Sequence, residues 1–157
     1  MSGGVDLRTG QAPPPLASGE SASPLNGRSV RFAGYAAVFD RADSSGDVVR
    51  PGAFARALAE ARDVPLLWQH QPGAVVGRIE HLSEDSRGLR VIAAVGDGRA
   101  AGLLGRGKID GLSFGYRVRE ARDGGGRREL VDLDLVEVSV VARPMQRLAR
   151  VHAVEGG

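Results

Sequence analysis

From Ser29 onward the chain is written in alternating apolar and polar positions, broken at intervals by clusters of Gly, Pro, Asp and Ser. RSVRFAGYAAVFD predicts a strand broken by Gly34, and ADSSGD predicts a turn. PGAFARALAEAR reads as a helix entered at Pro51, with Phe54, Leu58 and Ala61 on one face. VPLLWQH is a short buried strand ending at His70, and the turn QPG closes it. AVVGRIEHLSE and RGLRVIAAV are two strands joined by a polar turn around Asp85. GRAAGLLGRGKID is a short helix interrupted by glycines.

The next strand, GLSFGYRVREAR, sets Leu112, Phe114, Tyr116 and Val118 on one face and Ser113, Gly115 and Arg117 on the other. DGGGRR forms a hairpin loop, ELVDLDLVEVSVVA is the longest β-patterned run, and RPMQRLARVHAV closes the domain. Six or seven strands, two short helices and no βαβ alternation predict a mainly β fold. The expected architecture is an antiparallel β-barrel with a few short helices outside it.

Before this pattern begins, MSGGVDLRTGQAPPPLASGESASPLNG has no apolar period and no apolar h-region. It reads as a flexible arm over residues 1–27 and not as a secretory signal. Residues 28–154 are then one domain, with 155–157 as a tail. A chain of 157 residues that is 42% hydrophobic is long enough to bury one sizeable core.

Charge narrows the functional classes. The net charge is only +2, Lys108 is the single lysine, and the arginines are dispersed along a chain with 4% aromatic residues. A nucleic-acid module of this size concentrates its basic residues on one face, with aromatics among them, so nucleic acid is not an expected partner. No apolar run approaches the roughly 20 residues that span a bilayer, so no membrane is expected either. The absence of cysteine excludes disulfides, a thiol nucleophile and thiolate metal sites.

Candidate chemistry is sparse. GLLGRGKI (102–109) has the GxxxxGK spacing of a phosphate-binding loop, but isoleucine stands where Ser or Thr would hold magnesium, and a strand follows in place of a helix. His70, His81 and His152 are far apart in sequence and form no HxH or HxxxH pattern, so no metal is expected. Asp132 and Asp134 alternate on one strand face, which is ordinarily a solvated face.

Nucleophilic catalysis needs a serine, a base within reach, and a group orienting the base. Ser113 lies off the apolar face, where Gly111 and Gly115 leave room for a substrate backbone. His70 ends an apolar strand and needs a polar partner there. Glu137 lies inside LVEVSVV, a costly place for an unpaired charge. Each residue also has a plainer reading: a solvent-facing serine, a structural histidine, a paired core carboxylate. Regular alternation puts Glu137 on the face of Leu133 and Leu135, opposite Asp132 and Asp134. The latter two would then use Arg127 and Arg128 as solvated partners.

Taken in order, GYAAVFD, GDVVRPGAF, LLWQH with GRI after it, GLSFGYRV and LVEVSVVARP resemble the prohead protease family of tailed bacteriophages. These are capsid-maturation serine proteases related in fold to herpesvirus assemblin. The resemblance covers about Arg31 to Val151, and it rests on several blocks in the right order. It implies a herpesvirus-protease-like barrel and a serine endopeptidase without cofactor. That enzyme would act in the host bacterial cytoplasm, inside the immature prohead, on scaffold and major capsid protein precursor segments. Self-cleavage and a homodimer are further expectations.

By position the resemblance makes His70 the base, Ser113 the nucleophile and Glu137 the group that orients the histidine. Where the family often continues into an asparagine-containing turn, this chain reads ARPMQRLARV, so Arg143 or a nearby backbone N–H is expected to serve the oxyanion. No scaffold-like helical extension follows Val154, so any scaffold is expected on another chain. The alternative is a catalytically silent assembly or scaffold-binding module of the same fold.

Overall fold

The computed structural model describes residues 29–60, 62–96 and 98–156, so the N-terminal arm expected over 1–27 lies outside the described residues. Its elements in chain order are β1 (Val30–Val38), β2 (Val48–Val49), α1 (Ala55–Ala59), β3 (Leu66–Trp68), β4 (Val75–Glu84), β5 (Gly88–Val95), α2 (Gly98–Gly105), β6 (Gly111–Gly124), β7 (Arg127–Val141) and β8 (Val151–Gly156).

The mainly β class is as expected; the closed antiparallel barrel is not. Eight strands form one sheet in the order β2-β7-β3-β4-β5-β1-β8, with β6 on the other edge of β7. The sheet is not closed. Two pairings are parallel, β2 to β7 through Val48–Glu129 and β3 to β7 through Leu66–Val138. Closure would need a ladder from β6 to β8. Among the described residues, the start of β6 meets the chain just before β8 at a single bridge between Gly111 and Arg150, flanked by the bonds Leu112 N to Ala149 O (3.0 Å) and Val151 N to Asp110 O (2.8 Å).

β1 runs unbroken through Gly34. A Cβ there would collide with Arg150 O and come within 2.8 Å of Val151 Cα, so the glycine admits the crossing of the chain that leads into β8. The expected helix from Pro51 shortens to α1. Gly52 takes a left-handed φ of 92°, and the turn it makes is held by the Glu84 carboxylate, which accepts the N–H groups of Gly52 (3.0 Å) and Phe54 (2.7 Å). GLLGRGKI runs through the end of α2 into the turn before β6. Its lysine thus follows a helix, the reverse of a phosphate-binding polarity.

One core unites the inner face of the sheet with the helices. Phe32, Phe54, Leu66, Leu89, Leu112, Leu130, Leu133 and Val138 are fully buried within it. Each contributes about 1.5–3 kcal/mol of transfer free energy, less the ordering entropy. Phe54 meets Phe114 edge to face at 5.2 Å, fixing the turn before α1 against β6. Leu112 and Phe114 therefore anchor β6 from below, and its opposite face carries the polar residues.

Candidate active site

The register between β6 and β7 decides which polar groups meet. Ser113 faces Ser139, Gly115 faces Glu137, and Tyr116 faces Leu135, so Val136 is an extra residue on β7. This bulge overturns the regular alternation. Leu135 and Val138 both lie on the core face with Tyr116 and Phe114, and Glu137 moves to the face of Ser113 and Ser139. Leu67 of β3 pairs with Ser139, so Leu67, Ser139 and Ser113 form a row across three strands.

After Trp68 the chain leaves β3 through an unusual turn. Gln69 and His70 both take left-handed conformations, with φ of 51° and 61°. For non-glycine residues this costs on the order of 1–3 kcal/mol each, and it persists where the surroundings over-determine it. Four bonds do so here. Gln69 N–H donates to Val140 O (2.9 Å), Gln71 N–H to Trp68 O (2.9 Å), Ala142 N–H to Gln69 Oε1 (2.9 Å) and His70 N–H to Ser139 Oγ (3.0 Å).

The turn aims the His70 ring at Glu137. Nδ1 lies 2.6 Å from Oε2 of a carboxylate whose side chain is 3% exposed, while the imidazole itself is 43% exposed. The other carboxylate oxygen, Oε1, accepts the Ser139 hydroxyl at 2.7 Å. Both Glu137 oxygens are thus partnered, as a buried carboxylate requires.

Ser113 lies one strand away on the same face, its Cβ about 5 Å from that of Ser139 by the geometry of directly opposed residues. It is 5% exposed, so the expected open outer face is corrected. Ser139 is the residue directly opposite it on β7. Among the described residues its hydroxyl makes no hydrogen bond to His70.

The flanking glycines also change meaning. A Cβ at Gly115 would strike the Glu137 carboxylate, and one at Gly111 would come within 2.6 Å of Val141 O and 2.8 Å of the Pro144 ring. They make room for the protein's own atoms and not for a substrate backbone. Arg143 is exposed in the turn after β7 and is not joined to the His70–Glu137 pair.

The two other histidines lie elsewhere. His81 pairs with Ser83 Oγ at 3.0 Å, and His152 rests against Tyr35 with ring centroids 5.5 Å apart. Asp132 and Asp134 are held by Arg56 of α1 at 3.1 and 2.7 Å, with Arg119 at 3.3 Å from Asp134; the expected Arg127 and Arg128 are not their partners. Arg128 instead binds Asp47 at 2.8 Å. Sequence reasoning missed Ser139. The available signal was its spacing, because a serine two residues from Glu137 in a strand shares its face.

The mainly β fold is similar to that of KSHV protease, solved in complex with a hexapeptide phosphonate inhibitor. That likeness has a TM-score of 0.57 and covers 82% of this chain and 66% of the other; at 15% identity it is a likeness of fold. Residues 19–156 match the Caudovirus prohead serine protease family, and the chain belongs to that family. The Prohead protease of Enterobacteria phage HK97 is 38% identical in an alignment of 100 residues that covers 59% of this chain and 44% of that relative. The chain thus spans less than half the length of the relative it matches.

Proposed function

We propose that this protein is a serine endopeptidase of capsid maturation, with Ser113 as nucleophile, His70 as general base and Glu137 as the group that orients His70. The observation that carries the reading is the 2.6 Å contact between His70 Nδ1 and the buried Glu137 carboxylate, on the strand face shared with Ser113. A carboxylate on Nδ1 keeps the proton there and leaves Nε2 free to accept one. Family membership and the resemblance to a prohead protease supply the substrate class: scaffold and major capsid protein precursor segments, cut inside the immature shell.

The reaction follows from these groups. Nε2 takes the Ser113 proton as Oγ attacks the scissile carbonyl, and the imidazolium then protonates the departing amine. Water, deprotonated by the same nitrogen, releases the acyl group. The developing oxyanion is assigned to the Ala142–Pro144 turn. Gln69 Oε1 occupies the Ala142 N–H and proline has none, so the donors there are the Arg143 N–H and guanidinium.

The test is co-expression with the capsid precursor, with new termini read by mass spectrometry. Ser113→Ala should lower cleavage about 10⁴- to 10⁶-fold while the domain stays folded. Cleavage that persists in Ser113→Ala would refute the nucleophile. A protein that binds its precursor but never cuts it would be the silent assembly module instead.

A further inference from the structure

Beyond the three residues assigned above, one hydroxyl touches both the base and its orienting acid. Ser139 is fully buried, so it cannot touch substrate. Its Oγ donates to Glu137 Oε1 at 2.7 Å and accepts the His70 backbone N–H at 3.0 Å. A hydroxyl has one proton, and the backbone N–H can only donate, so the proton must point at Glu137. Oε1 is then an acceptor. With Oε1 occupied, Oε2 is the oxygen left for His70 Nδ1–H, and Nε2 keeps its lone pair.

We propose that Ser139 is a positioning residue: it sets the direction of the hydrogen-bond chain Ser139–Glu137–His70 and pins the left-handed backbone of His70. The inference rests on the reading of His70 as base, but the structural half of it can be tested without any substrate. Loss of the hydroxyl strands a buried carboxylate oxygen and frees the N–H that holds the turn. Both losses loosen the Glu137–His70 contact, and neither touches the binding surface.

The experiment has two arms on the full chain. In the first, ¹⁵N shifts of the neutral His70 imidazole are measured, with His81 and His152 removed from the assignment by single mutants. Wild type should show the Nδ1–H tautomer, and Ser139→Ala should show a mixture with Nε2–H. In the second, the rate of Ser113 labelling by a fluorophosphonate and the kcat and KM for precursor cleavage are compared. Ser139→Ala should lower labelling and kcat about 10- to 100-fold and leave KM within about twofold.

Ser139→Cys, of similar volume with a weak donor, should fall between the two, and it carries both readouts if the alanine variant does not fold. Wild-type tautomer and kcat retained in Ser139→Ala, or an Nε2–H tautomer in wild type, would overturn the proposal. If Ser113→Ala leaves cleavage and labelling intact, the enzymatic reading fails, and the tautomer measurement still decides the role of Ser139.

Discussion

β7 carries two carboxylate clusters with opposite physical characters, separated by a single bulge. On one side, Glu137 is 3% exposed and meets neutral or titratable partners, Ser139 and His70. On the other, Asp132 and Asp134 are 31% and 26% exposed and meet Arg56, a permanent cation. The exposed cluster is a balanced ion network screened by solvent, worth little and tolerant of change. The buried carboxylate is bonded to Ser139 and His70, so its charge is compensated by hydrogen bonds and by the proton that His70 can take. Burial makes the second arrangement directional, and direction is what a general base needs.

Neutralising each cluster should break the comparison in opposite ways. Glu137→Gln keeps the shape but presents an amide that can donate toward His70 Nδ1, favouring the wrong tautomer. Cleavage should fall on the order of 10⁴-fold with the fold intact. Asp134→Asn leaves Arg56 still paired with Asp132 at 3.1 Å and Glu60 at 2.8 Å, and the rate should stay within about threefold of wild type. If the asparagine variant is the crippled one, Glu137 is not the orienting acid.

A weaker blow to the same site comes from Gly115→Ala. The new Cβ would meet the Glu137 carboxylate, which is held at both oxygens and cannot swing away without losing Ser139 or His70. The strain should cost about 1–3 kcal/mol, read as a lower denaturation midpoint, together with a lower kcat. Gly125→Ala in the hairpin loop is the matched control. There the left-handed φ of 62° resists a side chain while no atom lies near, so stability should fall without a selective loss of activity. Equal loss of activity in both variants, once stability is matched, would mean that Gly115 acts only through the fold.

Much of the site was legible because its members sit in short, strongly patterned runs. The alternation of Leu112, Phe114 and Tyr116 exposes Ser113 as the odd residue, and a glutamate inside LVEVSVV demands a partner wherever the strand goes. The pairing of His70 with Glu137 follows once both must be satisfied. Facing was not legible. The Val136 bulge exists only because β6 and β7 pair in a particular register, and no local propensity announces it. The same limit hid the two parallel pairings of β7 and the open edge between β6 and β8, both of which depend on which distant strand reaches an edge first. The glycines misled for a related reason: their missing Cβ atoms admit parts of the chain far away in sequence.

The smallest effect belongs to a hydroxyl–carboxylate pair that repeats the Ser139–Glu137 contact at the surface. Tyr35 Oη donates to Asp85 Oδ2 at 2.5 Å, with Arg87 over the ring at 5.1 Å. The bond to Asp85, with burial second, raises the Tyr35 phenol above its ordinary 10.0. Burial pushes Asp85 upward, yet the Tyr35 hydroxyl and the Arg87 and Gly88 N–H groups outweigh it and hold the carboxyl below its ordinary 3.8. The signs then differ at the two ends of the pH scale. The Tyr35 contribution is fully present below pH 10 and lost as pH rises through the raised value. That of Asp85 is present above pH 3.8 and lost as pH falls through the lowered one. Tyr35→Phe keeps the ring against His152 and Arg87 and removes only the proton donor. It should therefore cost at most about 1 kcal/mol at neutral pH, the solvated counterpart of a far larger loss at Ser139. The alkaline part is the sharper measurement: the gap between wild type and Tyr35→Phe in denaturation midpoint should narrow above pH 10, with Tyr116 titrating equally in both. A gap that stays constant through that range would show that the surface pair stabilises through packing and not through its hydrogen bond.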